Sequence, residues 1–181
     1  VSDMTLFAGT GSAKVNGQYM IDDGSFTADI KAHALPLDAF TKNMNHPIGG
    51  YVDGDIRLVG KNNALTDLAG HVEGQQISMR GIVLDSVKAD LSQTGDKTNV
   101  VAVGKMGDGT LSGYGYIENG QVQATVSGNA LPLTSLSSII GADVDGTLST
   151  SINVQGDLNN PHVTGNVWGQ EVHYKGSRYN D

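Results

Sequence analysis

Residues 24–37 read Gly24-Ser-Phe-Thr-Ala-Asp-Ile-Lys-Ala-His-Ala-Leu-Pro-Leu37, and residues 120–133 read Gly120-Gln-Val-Gln-Ala-Thr-Val-Ser-Gly-Asn-Ala-Leu-Pro-Leu133. The offset is 120 − 24 = 96, with six identities in fourteen positions. In the first stretch Phe26, Ala28, Ile30 and Ala32 alternate with Thr27, Asp29 and Lys31; in the second Val122, Ala124 and Val126 take the apolar places. Period two with one polar side is the pattern of a strand with one face sheltered. Proline cannot donate to a ladder, so Leu35-Pro36-Leu37 and Leu131-Pro132-Leu133 end these strands. The fold class expected is therefore all-β.

The matching continues outward from this pair. Upstream, Ile21-Asp22-Asp23-Gly24 lies over Ile117-Glu118-Asn119-Gly120, and Asp-Gly and Asn-Gly are the preferred dipeptides of two-residue hairpins. Downstream, Val52-Asp53-Gly54 is matched with Val144-Asp145-Gly146 by allowing a four-residue loop change. Gly70-His-Val-Glu-Gly-Gln-Gln-Ile-Ser-Met-Arg-Gly81 then lies over Gly165-Asn-Val-Trp-Gly-Gln-Glu-Val-His-Tyr-Lys-Gly176, with five identities in twelve at offset 95. Matches in one order at nearly one offset imply an internal repeat. The expected units are residues 1–80, truncated at its N-terminal side, and residues 81–176, with 177–181 opening a further unit or ending the fragment. Val1 to Phe7 lack a basic leader and look like a cut end of a longer chain.

Within each unit a long strand follows: Val52, Gly54, Ile56 and Leu58 in the first, Val144, Gly146, Leu148, Thr150, Ile152 and Val154 in the second. Short helices after Pro36 and Pro132 are expected to carry core stripes at Leu37, Phe40 and Met44 and at Leu131, Leu133, Leu136, Ile139 and Ile140. Asn159-Asn160-Pro161 signals a turn before Val163 to Val167. The Gly-Gln pairs at 74–75 and 169–170 interrupt alternation, which marks bulges that move the apolar set to Ile77/Met79 and Val172/Tyr174. The architecture expected is a repeated, curled β-sheet with short helices, forming an elongated groove with an apolar concave face. Its lining would be Phe26, Ala28, Ile30, Ile56, Leu58, Val72, Ile77, Met79, Val122, Ala124, Val126, Leu148, Ile152, Val154, Val167, Val172 and Tyr174.

Composition narrows the function. Glycine supplies 25 of the 181 residues, roughly double the usual ~7%, and serves turns and strand bends better than helices. A net charge of −8 with only 11 Lys and Arg argues against a nucleic-acid partner and against adhesion to an anionic membrane surface. No segment approaches 18 consecutive apolar residues, so none reads as a spanning helix. Cysteine is absent, which removes disulfide and thiolate-metal readings.

Catalytic patterns fail in turn. Gly107-Asp-Gly-Thr110 and Asp22-Asp-Gly-Ser25 resemble acidic Ca²⁺ loops only weakly and read better as hairpin turns. Gly9-Thr10-Gly11 and Gly113-Tyr-Gly115 have no following helix and cannot cradle a dinucleotide. Neither GxSxG nor HExxH occurs, and Asp53 and Asp145 each precede glycine, a bend rather than an acid/base pair. His71 and Ser78 face Asn166 and His173 in the other copy, so these positions read as solvent-facing. Trp168 and Tyr174 could stack a sugar, but two aromatics on one strand are more often packing. No enzyme activity, metal or cofactor is expected.

The unit end, Ile152-Asn-Val-Gln-Gly156-Asp-Leu-Asn-Asn-Pro161-His-Val-Thr-Gly165 followed by Gly169-Gln-Glu-Val-His-Tyr-Lys-Gly176, resembles the repeating pattern of the AsmA-like family. So do Ala34-Leu-Pro-Leu-Asp-Ala-Phe40 and Ala130-Leu-Pro-Leu-Thr-Ser-Leu136. The first copy departs from it, with Ala64-Leu-Thr-Asp67 in place of Asn160-Pro161. The resemblance implies a β-taco in the periplasm of a protein anchored in the inner membrane and reaching an Omp85-type outer-membrane barrel, both through regions outside this stretch. It implies phospholipid acyl chains as cargo, carried between the membranes in support of outer-membrane biogenesis. At about six strands per unit and ~4.8 Å per strand, two units would extend only about 55 Å. The alternative is a structural or adhesive β-repeat of a surface protein without lipid cargo; a polysaccharide-acting β-helix fits less well, because its coils repeat at much shorter periods.

Overall fold

A computed structural model describes residues 2–43, 47–137 and 141–174. Eleven strands follow one another: β1 (Ser2–Ala8), β2 (Gly11–Tyr19), β3 (Phe26–Pro36), β4 (Gly49–Lys61), β5 (Ala64–Met79), β6 (Ile82–Thr94), β7 (Lys97–Met106), β8 (Gly109–Glu118), β9 (Gln121–Pro132), β10 (Val144–Asp157) and β11 (Asn160–Tyr174). Each pairs antiparallel with the next, so the spatial order is the chain order and all eleven form a single curled sheet. Ten spacings of ~4.8 Å give about 48 Å along the ladder direction.

Helix is almost absent. One turn, α1 (Asp38–Thr41), follows β3, and a 3₁₀ turn (Leu133–Leu136) follows β9. Leu133 is buried at 4% exposure, in agreement with a packing role, whereas Phe40 is 52% exposed and does not join a core. Met44, Ile139 and Ile140 lie outside the described residues. The 3₁₀ turn touches β9, β10 and also β6. β6 lies three strands from β9 in the sheet, so this triple contact registers how tightly the sheet curls. Met106, Leu131, Leu133 and Val144 are the most deeply buried large apolar residues among those described.

Turn chemistry explains the meander. Asn62-Asn63, Arg80-Gly81 and Asn119-Gly120 have positive φ at both residues, the twist that closes a two-residue antiparallel hairpin. The expected division between residues 80 and 81 falls on one of these turns. Asp23-Gly24 behaves differently: β2 stops at Tyr19 and β3 starts at Phe26, so a six-residue loop joins them. Here the Asp23 carboxylate accepts from the Ser25 backbone N–H at 2.9 Å and the Ser25 hydroxyl at 2.8 Å. The carbonyls of Asp23 and Gly24 accept from the backbone N–H groups of Asn62 and Asn63. The loop is thus docked on the β4–β5 turn rather than being the hairpin the dipeptide suggests.

Ladder register revises one match made from the sequence. Ile30 stands opposite Ile56 and Leu35 opposite Val52; Val126 stands opposite Ile152 and Leu131 opposite Leu148. Val52 therefore occupies the ladder position of Leu148, not Val144, and the offset stays at 96 with no loop change. Asp53 accordingly corresponds to Ser149. Each serves one purpose: Asp53 Oδ1 accepts the Ala34 N–H at 3.0 Å, and Ser149 Oγ accepts the Ala130 N–H at 3.3 Å. Ala34 and Ala130 are both at positive φ, 44° and 50°. The side chain satisfies a backbone donor turned out of the ladder where the strand bends.

Candidate functional site

The feature with functional content is the two-sidedness of the sheet. Residues directly opposite in a ladder share a face, and the pairs run continuously across the strands. From β2 to β6 one row reads Val15, Ile30, Ile56, Gly70 and Leu91. From β7 to β11 another reads Ala102, Gly113, Val126, Ile152 and Gly165. Leu91 opposite Val100 joins the two halves on the same face. The reverse face carries Lys14, Lys31, Asp55, His71 and Asp90 along one row.

Every groove-lining candidate named from the sequence falls on the Ile30 face. Ala28 lies opposite Leu58, Val72 opposite Ala89, Ile117 opposite Val122 and Ala124 opposite Val154. The Phe26 ring covers Gly60 on that face and leaves no room for a Cβ there. The bulges do what the Gly-Gln pairs signalled. Gln76 and Glu171 have φ of 51° and 50°, and the side chain after each swings back over a glycine. Ile77 Cγ1 comes within 2.8 Å of where a Gly74 Cβ would be, and Val172 Cγ2 within 2.6 Å of that place at Gly169. Met79 and Tyr174 follow Ile77 and Val172 by alternation. Tyr174, Val167, Val172 and Met79 are nonetheless 72%, 63%, 54% and 45% exposed. The first three lie on β11, whose only strand neighbour among the described residues is β10, and Met79 ends at a hairpin.

The two faces differ in exposure although, among the described residues, no second sheet covers either. Along β3 from Phe26 to His33 the residues of the Ile30 face are half-buried and those of the Lys31 face exposed, in strict alternation. Glycine inside the strands also keeps to one side: Gly17, Gly54, Gly70, Gly113, Gly115 and Gly165 all belong to the Ile30 face. Over β7–β9 this leaves a depression of about 220 Å³ bordered by Val100, Ala102, Gly113, Gly115, Ile117, Val122, Ala124 and Val126, all on that face, with Tyr114 and Tyr116 also touching it.

The Lys31 face carries the charge. Lys31 pairs with Asp55 at 3.4 Å and His33 with Asp53 at 2.9 Å. His71 Nδ1 meets Asp90 at 2.7 Å and its Nε2 meets Glu73 at 3.1 Å, while Lys88 Nζ donates to Glu73 at 2.6 Å. The Asp90 and Glu73 hydrogen bonds raise the His71 pKa above the ordinary imidazole value, and Lys88, then His71, lower that of Glu73. These groups are well exposed, so they contribute little to stability. Among the described residues no cluster of three or more metal-ligating side chains is present, and no helix is long and apolar enough to cross a membrane.

Two further placements differ from simple reading of the chain. Trp168 stands opposite Ser149 and so lies on the Lys31 face, away from Tyr174; the pair cannot form one stacking platform. The central strands β6–β8 contribute Val87, Leu91, Val100, Met106 and Leu111 to the Ile30 face, none of them singled out from the sequence. Their alternation is masked by Val83, Val101, Val103 and Tyr114 on the other face, which are 41%, 54%, 51% and 65% exposed.

The arrangement defines a class of protein: a single-layer, curled antiparallel meander with chemically distinct faces. No protein-family model, curated protein or solved structure matches the chain.

Proposed function

We propose that the Ile30 face is the inside of an apolar groove built from two copies of one unit, and that it shelters phospholipid acyl chains. On this reading the chain is a non-catalytic segment of a TamB-like member of the AsmA-like family. It would work in the periplasm, in transfer of lipid from inner to outer membrane, with its inner-membrane anchor and Omp85-type partner supplied by other regions. The observation that carries the reading is the continuity of the Ile30 face through all eleven strands.

Two physical points support it. A curl crowds side chains on its inner side, and glycine confined to one face relieves that crowding while leaving room for a chain-like guest. Each methylene shielded from water is worth about 0.8 kcal/mol, so a two-chain lipid costs on the order of 20 kcal/mol to expose fully. An unbroken apolar track lowers that barrier without a charged site, because head groups can remain in solvent at the open rim.

The test is photo-crosslinking in a double-membraned cell from Ile152 and Leu58, on the Ile30 face, and from Ser151 and Lys31, on the other. Lipid adducts from the first pair alone are expected. Adducts from Ser151 and Lys31 instead would reverse the assignment of faces, and a protein devoid of lipid by native mass spectrometry would remove the conduit reading. The patch of Val101, Val103 and Tyr114 on the Lys31 face favours a second reading, a structural or adhesive β-module. It would bind a protein through that patch and yield no lipid adducts.

A further inference from the structure

Strands β2–β4 and β8–β10 correspond position by position when Ile30 opposite Ile56 is laid over Val126 opposite Ile152. Their Ile30 faces then agree: Gly17, Ala28 and Leu58 fall on Gly115, Ala124 and Val154. Their Lys31 faces do not. On β2–β4 one row is Lys14, Lys31 and Asp55, and the next is Asn16, Asp29 and Arg57. At those places β8–β10 carry Ser112, Ser127 and Ser151, then Tyr114, Thr125 and Asn153. A third row changes from Gln18, Thr27 and Val59 to Tyr116, Gln123 and Gln155. The five charges of the first three strands, at Lys14, Asp29, Lys31, Asp55 and Arg57, all have uncharged counterparts.

Polarity is kept while charge is lost. Lys31 meets Asp55 at 3.4 Å, whereas Thr125 Oγ1 donates to Asn153 Oδ1 at 3.0 Å. Two tyrosines are added, about 7 Å apart along β8. Tyr114 is 65% exposed. The Tyr116 hydroxyl donates to Gln123 Oε1 and orients that amide. Lys97 lies 3.9 Å from the Tyr116 ring centre and pairs with Glu118 at 3.7 Å, so this bordering charge is met by its opposite. Between these side chains is a depression of about 260 Å³, bordered by Asn99, Val101, Tyr114, Tyr116, Gln123 and Thr125.

We propose that the Lys31 face of β8–β10 is a binding site for a neutral polysaccharide chain. A pyranose presents a C–H face that packs on an aromatic ring, and a rim of hydroxyls that exchange hydrogen bonds with amides and hydroxyls. An uncharged ligand does not repay the desolvation of fixed charges, so a charge-free surface of this kind is complementary to it. The net charge of −8 disfavours an anionic glycan. An extended peptide gains most of its affinity from a free strand edge, and β8, β9 and β10 are each paired on both sides. The depression is shallow and open, which suits a chain lying across the strands. The site does not depend on what the Ile30 face binds.

The probes are chitohexaose and cellohexaose, both uncharged, titrated into the intact chain and followed by amide NMR shifts. Saturable shifts centred on residues 112–116 and 123–125 are expected with at least one of them. Tyr114→Ala should weaken that binding at least about tenfold. The double variant Thr125→Asp with Asn153→Arg restores the charges of Asp29 and Arg57 and should do the same. Spectra unchanged away from the substituted residues check that both variants keep the fold. Lack of saturable shifts with either sugar up to about 10 mM, shifts centred on β2–β4, or binding indifferent to both variants would overturn the proposal. A protein held through Tyr114 by a chain that binds neither sugar would overturn it as well, and would assign the face to a protein partner.

Discussion

Gly146 is a position where one added methyl group should be costly for two reasons at once, backbone conformation and lack of space. Its φ is +114°, beyond the left-handed well that other residues visit, and a Cβ built there lies 2.5 Å from the Glu171 carbonyl oxygen and 2.8 Å from that of Gln170. Both contacts are with backbone, which cannot swing aside as a side chain can. Backbone strain at such a φ is worth about 1–3 kcal/mol, and opening one or two ladder hydrogen bonds adds roughly 1 kcal/mol each. Gly146→Ala should therefore destabilise the chain by about 3–5 kcal/mol, a large part of a typical domain's stability. Gly120→Ala is the control, because Gly120 is also at positive φ (+74°) but has nothing within 4 Å of its Cβ position, so about 1–2 kcal/mol is expected. Gly50, at φ +107° and 2.6 Å from the Gln76 carbonyl oxygen, should behave like Gly146. Urea unfolding followed through Trp168, which is on the strand facing Gly146, measures the difference. Alanine variants at 146 and 120 that agree within about 1 kcal/mol would refute the claim that the bulge forces glycine at 146.

Gly113→Leu tests the depression over β7–β9. A Cβ at Gly113 meets its nearest neighbours at 3.4 Å, an ordinary contact, so the fold should survive with a change of about 1 kcal/mol, while the side chain fills much of the space. Native mass spectrometry should show less bound lipid while the unfolding free energy moves by no more than about 1 kcal/mol; undiminished lipid would remove that depression from the groove. The His71 imidazole should titrate above the ordinary value of about 6.5, since the hydrogen bonds it donates to Asp90 and Glu73 favour its charged form. Any stabilisation from charging this imidazole is present below about pH 6.5 while its carboxylate partners stay ionised, and it is lost as pH rises through the folded-state value. An NMR titration in which Asp90→Asn leaves the His71 midpoint unmoved would show that the 2.7 Å contact does not govern it.

Much of the fold was legible because strands with one sheltered face write period two into the chain. Phe26 to Ala32 and Leu148 to Val154 show it plainly, and the Gly-Gln pairs announced bulges that the structure contains at Gln76 and Glu171. β6 to β8 were harder, since Val100-Val101-Ala102-Val103 is apolar on both sides and hides which face is which. The Asp23-Gly24 dipeptide misled for another reason. A local turn preference was overridden by docking onto Asn62 and Asn63, residues almost forty positions away.

What the sequence determined by itself was the strand content, the two faces and the bends, all of which depend on neighbours within a few residues. What the tertiary structure decided was register: that Val52 stands where Leu148 does, that Asp53 and Ser149 share one task, and that Trp168 and Tyr174 part to opposite faces. Register is set by hydrogen bonds between strands, and moving a strand by one residue reverses every side chain it carries. A chain read one segment at a time holds no record of that choice.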